Sequence, residues 1–297
     1  MILTTKEFYL LLFLLLALVC TFAGCDNNKV VHEQAPSDKP VIAVSIVPQA
    51  TFVKEVAGDL VNVVTMIPPG MSPANYAPTP QEMGQFSRAS LYFTIGVPTE
   101  TANILPEAAG LNPDIRIISL NNEVAKVFPE REIAPGMRDP HIWLSPKRVK
   151  VMVNSIAREL SAIDPPNKEV YENNAAAYIK KIDKLDQDIF NSLKNLSEKA
   201  FIVYHPAFGY FADDYGLQMV SLEEEGKEAT AKSLKKAINF AKEENIKVIF
   251  YQEEIDSKQS HAFAEEIGGK AEMIAPLAPN YIYNLEKTAR VFAEVLS

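Results

Sequence analysis

The chain has 297 residues, and two lobes is the better starting reading because single cores stop growing before that length. Hydrophobic residues make up 47% and charged residues 23%, a globular balance that excludes a disordered chain and one built wholly of membrane spans. The formal net charge of −9, with no concentrated Lys/Arg cluster, excludes a nucleic-acid groove and suits a cationic ligand only weakly.

Residues 1–24 read as a secretory signal peptide outside the fold. After the polar start MILTTKE, Phe8 to Val19 form an apolar run of about 12 residues, too short to span a bilayer and right for a signal h-region. Ala23 and Gly24 then precede Cys25, a pattern that resembles the lipobox of bacterial lipoproteins, where cleavage falls before a cysteine that carries acyl chains. Phe22 departs from that pattern by standing where a Leu is usual, and Lys6 supplies a thin basic flank. An uncleaved anchor helix is the other reading, and both place the chain outside the cytoplasm, tied to a membrane. Cys20 lies in the removed segment, so the mature chain keeps Cys25 alone, with no disulfide and no thiolate metal site. Residues 25–40 are polar without a period and read as a lipidated, flexible tether in which His32 is solvated.

From Val41 short apolar runs alternate with longer amphipathic ones, the pattern of βα units around a mostly parallel sheet. Strands are expected at 41–47, 61–67, 91–96 and 115–120, with helices after the first and near 81–88 and 101–110. Ser145-Pro146 is a cap and first-turn pair that opens a helix to about Ala162, which Asp164-Pro165-Pro166 ends. The next stretch, Asn167 to Leu196, has apolar residues at helical spacing (Val170, Ala177, Ile182, Leu185, Ile189, Leu193) and predicts one helix of roughly 45 Å. Four more strands follow at 201–204, 217–222, 247–252 and 271–276, with helices near 206–215, 231–244, 257–268 and 280–296. The expected architecture is α/β: two lobes (41–166 and 199–297), each with a four-stranded mostly parallel sheet, joined by one long rigid helix (167–198).

Ligands of open parallel sheets bind outside the carboxyl ends of the strands. His205 follows FIVY directly and precedes Pro206, which aims it into such a crevice; a core histidine is the competing reading. His141, in RDPHIWLSP, lies just after the Asp139-Pro140 turn and four residues before the Ser145 cap, so it too sits in a connection. His261 falls in a polar helical run and reads as a surface residue. Two neutral imidazoles converging from opposite halves suit Zn²⁺ or Mn²⁺, though two donors do not complete either ion's shell. There is no HExxH helix, strained serine elbow or glycine-rich phosphate loop, which argues against a metal-dependent hydrolase. A structural or adhesive lipoprotein, the third class weighed, gives no reason for histidines in a crevice.

PPGMSPANYAPTP (68–80), DPHIWLSP (139–146), YHPAFGYFADDYGL (204–217), LEEEGKEAT (222–230) and AEEIGGKAEMIAPLAPNY (264–281) together resemble the substrate-binding lipoproteins of zinc and manganese ABC uptake systems. The likeness implies a two-lobed, non-enzymatic, monomeric receptor. It would carry a divalent metal, Zn²⁺ favoured and Mn²⁺ second, to a membrane permease. His141 and His205 match two ligands of the family pattern. Ala74 and Ala275 stand where that pattern has a His and an Asp. Three explanations follow. Glu223, Glu224, Glu225, Glu253 and Glu254, all after strand ends, rebuild the site, or support the histidines from behind, or form a solvated acidic rim. Alternatively the metal arrives chelated, in a larger polar cavity lined by Asn75, Tyr76, Tyr204 and Gln252. In the third, the cargo is an organic molecule that the histidines hydrogen-bond.

Overall fold

The computed structural model describes residues 39–223, 229–254 and 258–297, and Lys39–Ser297 form one compact unit. The expected signal peptide, His32, the lipidation site Cys25, and Glu224 and Glu225 lie outside the described residues.

The first sheet comprises β1 (Val41–Val44), β2 (Asn62–Thr65), β3 (Leu91–Thr94) and β4 (Arg116–Ser119), all parallel, in the order β2-β1-β3-β4. A small antiparallel hairpin, β5 (Glu132–Ala134) and β6 (Met137–Arg138), follows. The second sheet, β7 (Ala200–Val203), β8 (Gln218–Ser221), β9 (Val248–Gln252) and β10 (Lys270–Ile274), is parallel in the order β10-β9-β7-β8. In each sheet the first strand has the second on one side and the third on the other, so the two halves share one topology. Central strands LYFT and AFIV are buried throughout, whereas the flanking NVVT and RIIS are partly exposed, as expected where helices cover both faces.

Ten α-helices occur among the described residues: α1 (Val47–Ala57), α2 (Pro80–Phe86), α3 (Leu105–Leu111), α4 (Leu120–Ala125), α5 (Pro146–Ile163), α6 (Lys168–Leu193), α7 (Gly209–Tyr215), α8 (Ala231–Glu243), α9 (Lys258–Glu266) and α10 (Tyr281–Val295). Ser145 caps α5 by accepting from the Arg148 amide at 3.3 Å. The linking helix α6 has 26 residues, about 39 Å at the usual rise and shorter than the expected span. Its buried face is Tyr171, Ala175, Tyr178, Ile182, Leu185, Ile189 and Leu193. Val170 and Ala177 are exposed, contrary to expectation: extending the 3–4 spacing backwards from Ile182 reaches 178, 175 and 171, and Tyr171 ties the helix start down by donating to Asp164 at 2.6 Å. No helix among the described residues is long and apolar enough to cross a membrane.

One apolar cluster runs through both halves. It takes in Phe52 of α1, Trp143, the buried face of α6, Phe201 of β7 and Phe292 of α10. The Phe292 ring lies 4.7 Å from both Phe201 and Phe250 and 5.6 Å from Phe208 and Phe211, filling the floor beneath the His205 loop. Hydrogen bonds also cross between the halves, among them Trp143 Nε1–H to the Pro276 carbonyl at 3.0 Å and Thr51 Oγ1–H to the Pro279 carbonyl at 2.5 Å.

The crevices at the two points where strand order reverses are used differently. Between β1 and β3, Gln49 Oε1 accepts from the Ser45 and Ile46 amides, both at 3.0 Å, and its amide nitrogen donates to the Phe93 carbonyl at 2.9 Å. The buried Glu100 carboxyl accepts from the Ile95 and Gly96 amides at 2.7 and 2.8 Å and from the Ser45 hydroxyl. The first crevice is thus filled by the chain's own polar groups. Between β7 and β9 the corresponding place is taken by His205 and Gln252, whose amide donates to the His205 carbonyl at 2.9 Å.

Burial pushes the Glu100 carboxyl up to about 7, against the lowering effect of its three donors. The native state therefore keeps a proton that the unfolded chain has released, so this contribution is complete below the ordinary glutamate range and is lost as pH rises through about 7. Between pH 5 and pH 8, denaturant titrations should show the parent losing on the order of 2–3 kcal/mol relative to Glu100→Gln; parallel curves for the two proteins would contradict this.

Candidate metal centre

The strand FIVY ends in a turn at His205, where the Ala207 amide donates back to the His205 carbonyl at 2.8 Å and the ring is turned out of the sheet. Glu223, just past the end of β8, is placed beside it by its own amide, which donates to the Tyr204 carbonyl at 2.9 Å, and its Oε2 lies 2.5 Å from His205 Nδ1. His141 begins the short turn Ile142–Leu144 ahead of α5. Oδ1 of the fully buried Asp139 accepts from both the His141 amide (2.9 Å) and its Nδ1 (2.7 Å). Each imidazole thus turns Nδ1 toward a carboxylate, which fixes the Nδ1–H tautomer and leaves Nε2 with a lone pair.

Those two lone-pair nitrogens face each other. His141 Nε2 and His205 Nε2 are 3.1 Å apart, with the rings edge to face at 5.0 Å between centroids. Trp143 closes one side, 5.1 Å from the His141 ring. Burial lowers the His141 pKa, against the raising influence of Asp139, so this ring is neutral at pH 7 and its contact with Asp139 is a hydrogen bond rather than an ion pair. Two bare lone pairs at this distance repel; a cation bonded to both, either a shared proton or a metal ion, removes the repulsion. Two nitrogens on one tetrahedral Zn²⁺, at the usual 2.0–2.1 Å bond lengths, are separated by about 3.3 Å.

The other residues singled out in the sequence are scattered in their contacts. Glu253 is exposed, and the half-buried Glu254 has its pKa raised first by burial and then by Glu253, with His205 opposing. Asn75 is exposed, Tyr76 donates to Glu82 at 2.8–2.9 Å, and Tyr204 donates to Gln259 at 3.1 Å. Ala74 is exposed; Ala275 is half-buried, and its carbonyl accepts from Asn284 at 2.7 Å. Among the described residues, no group of three or more His, Cys, Asp or Glu is arranged to hold a metal ion. Sequence reasoning passed over Asp139, although an acid two residues before a histidine across a proline is a readable sign of a side chain that orients the ring.

Two parallel sheets bridged by a long helix, with an imidazole pair contributed by both halves, define a two-lobed binding protein. Residues 42–295 match the family described as zinc-uptake complex component A, periplasmic, and the chain belongs to that family. It is 32% identical over 279 residues to the high-affinity zinc uptake system protein ZnuA of Bacillus subtilis (strain 168), covering 90% of this chain and 88% of the relative. Against the zinc-binding lipoprotein AdcA of Streptococcus pneumoniae (strain ATCC BAA-255 / R6) it is 29% identical over 308 residues; the match takes in 95% of this chain and 60% of that relative's length. The manganese ABC transporter substrate-binding lipoprotein PsaA of Streptococcus mitis is 28% identical over 267 residues, with 86% and 85% covered. A crystal structure of ZnuA superposes with a TM-score of 0.83 at 37% identity, over 88% of this chain and 100% of the other.

Proposed function

We propose that the chain is the extracytoplasmic receptor of a metal ABC importer, that it binds Zn²⁺ in preference to Mn²⁺ through Nε2 of His141 and His205, and that it hands the ion to a membrane permease. The observation that carries this reading is the facing pair of Nε2 atoms, 3.1 Å apart, each ring braced on its far side by a carboxylate. Family membership supports a transport receptor rather than an enzyme. The named cargoes of relatives, zinc for two and manganese for a third, support the choice of ions. Residues 41–166 and 199–297 act as the two lobes, 167–198 as their connector, and Cys25 as the point of lipid attachment.

Ligand binding to the folded state alone stabilises by about 2.7 kcal/mol at a hundred times the dissociation constant. Zn²⁺ should therefore raise the melting temperature of the parent, and His141→Ala and His205→Ala should each abolish the rise. Because protons compete for the same lone pairs, apparent affinity should fall as pH drops below the ordinary histidine range. Variants that respond to Zn²⁺ as the parent does would refute the assignment.

A four-coordinate ion needs donors beyond these two. The methyl side chains at 74 and 275, with no third His, Cys, Asp or Glu donor grouped there among the described residues, favour a second reading. In it the ion enters with a small nitrogen- or oxygen-donor chelator of its own. Visible spectra of Co²⁺-loaded protein separate this from a site completed by Glu224 or Glu225. Added L-histidine should change the spectrum while the cobalt stays on the protein. An unchanged spectrum, or cobalt stripped into solution, would count against the chelate.

A further inference from the structure

The Asp139 carboxylate that orients His141 is itself fully buried, and its two oxygens have different partners. Oδ1 is occupied twice by His141. Oδ2 faces Nε of Arg131, 3.3 Å away. The contact is not aligned as a hydrogen bond, since both atoms lack such a partner, so it is one of charge. A buried carboxylate needs a countercharge, and the guanidinium supplies it.

The same arginine reaches across to the other half of the molecule. Its Nη1 donates to both carboxylate oxygens of Asp213 on α7, at 2.9 and 2.8 Å. Its backbone amide donates to the Tyr210 hydroxyl at 3.0 Å, and that hydroxyl donates to the Asp139 carbonyl at 3.2 Å. The Asp139 amide donates to the Arg131 carbonyl at 2.7 Å, closing the base of the β5–β6 hairpin. Residues 209, 210 and 213 therefore all engage the Arg131–Asp139 pair, and α7 is the helix that leaves the His205 loop. Gly209 is bare for a steric reason. A Cβ there would lie 2.2 Å from Arg131 Nε and 2.8 Å from Asp139 Oδ2, inside the pair.

We propose that Arg131 is a positioning residue for the imidazole pair: it holds Asp139 in the one orientation that aims His141 Nε2 at His205, and it locks that orientation to the helix that follows His205. This rests on the proposed assignment of His141 and His205 as donors, and it gives the contact between the base of the β5–β6 hairpin and α7 a purpose. Arg131 acts through Asp139 and does not touch the cargo. Gly209 is the clearance that lets it do so.

Two measurements on the full-length chain test this. In metal-free protein, the imidazole Nδ1–H resonance of His141 should be observable by ¹⁵N NMR and protected from exchange. In Arg131→Gln it should shift and exchange faster, while the control Arg116→Gln, which removes a different ion pair (Arg116 with Glu159), leaves it in place. By Zn²⁺ titration, Arg131→Gln and Gly209→Ala should each weaken affinity about ten- to a hundredfold, the usual cost of removing an outer partner of a metal-binding histidine. Arg131→Gln added to Asp139→Asn should cost little more than Asp139→Asn alone, because one acts through the other. Should Arg131→Gln fail to fold, Asp213→Asn removes only the exposed end of the brace and should still show the weaker shift and affinity loss. An unmoved His141 resonance, or losses at 131 and 139 that simply add, overturns the proposal. A parent that binds no Zn²⁺ but whose His141 resonance still depends on Arg131 would instead remove the metal assignment and leave the brace standing.

Discussion

The approach of two imidazole nitrogens to 3.1 Å is the constraint around which this molecule is arranged. Rings that turn Nδ1 outward to carboxylates and Nε2 toward each other do not come together unaided, so something must hold each in place. Asp139 and Glu223 do this locally, and the surrounding fold keeps those carboxylates from relaxing. The interior contact between Asp139 and Arg131 and the short link from Glu223 to the Tyr204 carbonyl are thus part of the same device. A metal ion bonded to both nitrogens would gain from work the polypeptide did on folding, which is the general logic of preorganised sites.

The two halves reached this arrangement from one topology by different routes. Both sheets reverse strand order next to their first strand, and both leave a crevice there. In the first half Gln49 and Glu100 close it with hydrogen bonds to the amides at 45, 46, 95 and 96. In the second half His205 stands in it. The first half contributes its imidazole instead from a turn ahead of α5, where the Ser145 cap, Trp143 and Asp139 fix the backbone. The family match and the superposition on ZnuA both take in both halves.

Much of this was legible in the sequence, and what was not has a physical reason. Short β-branched runs separated by amphipathic stretches located all eight strands of the two sheets within a few residues, because buried parallel strands carry near-continuous apolar sequence. Proline flanks marked both histidine loops. The register of α6 was misjudged at its start because tyrosines were not counted as core formers, yet Tyr171 and Tyr178 bury their rings while Tyr171 sends its hydroxyl to Asp164. The hairpin of β5 and β6 went unseen: three residues and two residues give no periodicity to read. Long-range polar partners were invisible for a different reason. Nothing local to Glu100 or Arg131 says that the Ser45 hydroxyl, 55 residues away, will meet the one and the Asp213 carboxylate, 82 residues away, the other.

The apolar interior that runs unbroken from the first sheet through α6 to the second has a kinetic corollary. Swinging the halves apart as rigid jaws would bring apolar residues of this cluster into contact with water, which opposes a wide opening. Movements of short loops and single side chains cost less exposure of this interior than separation of the halves does.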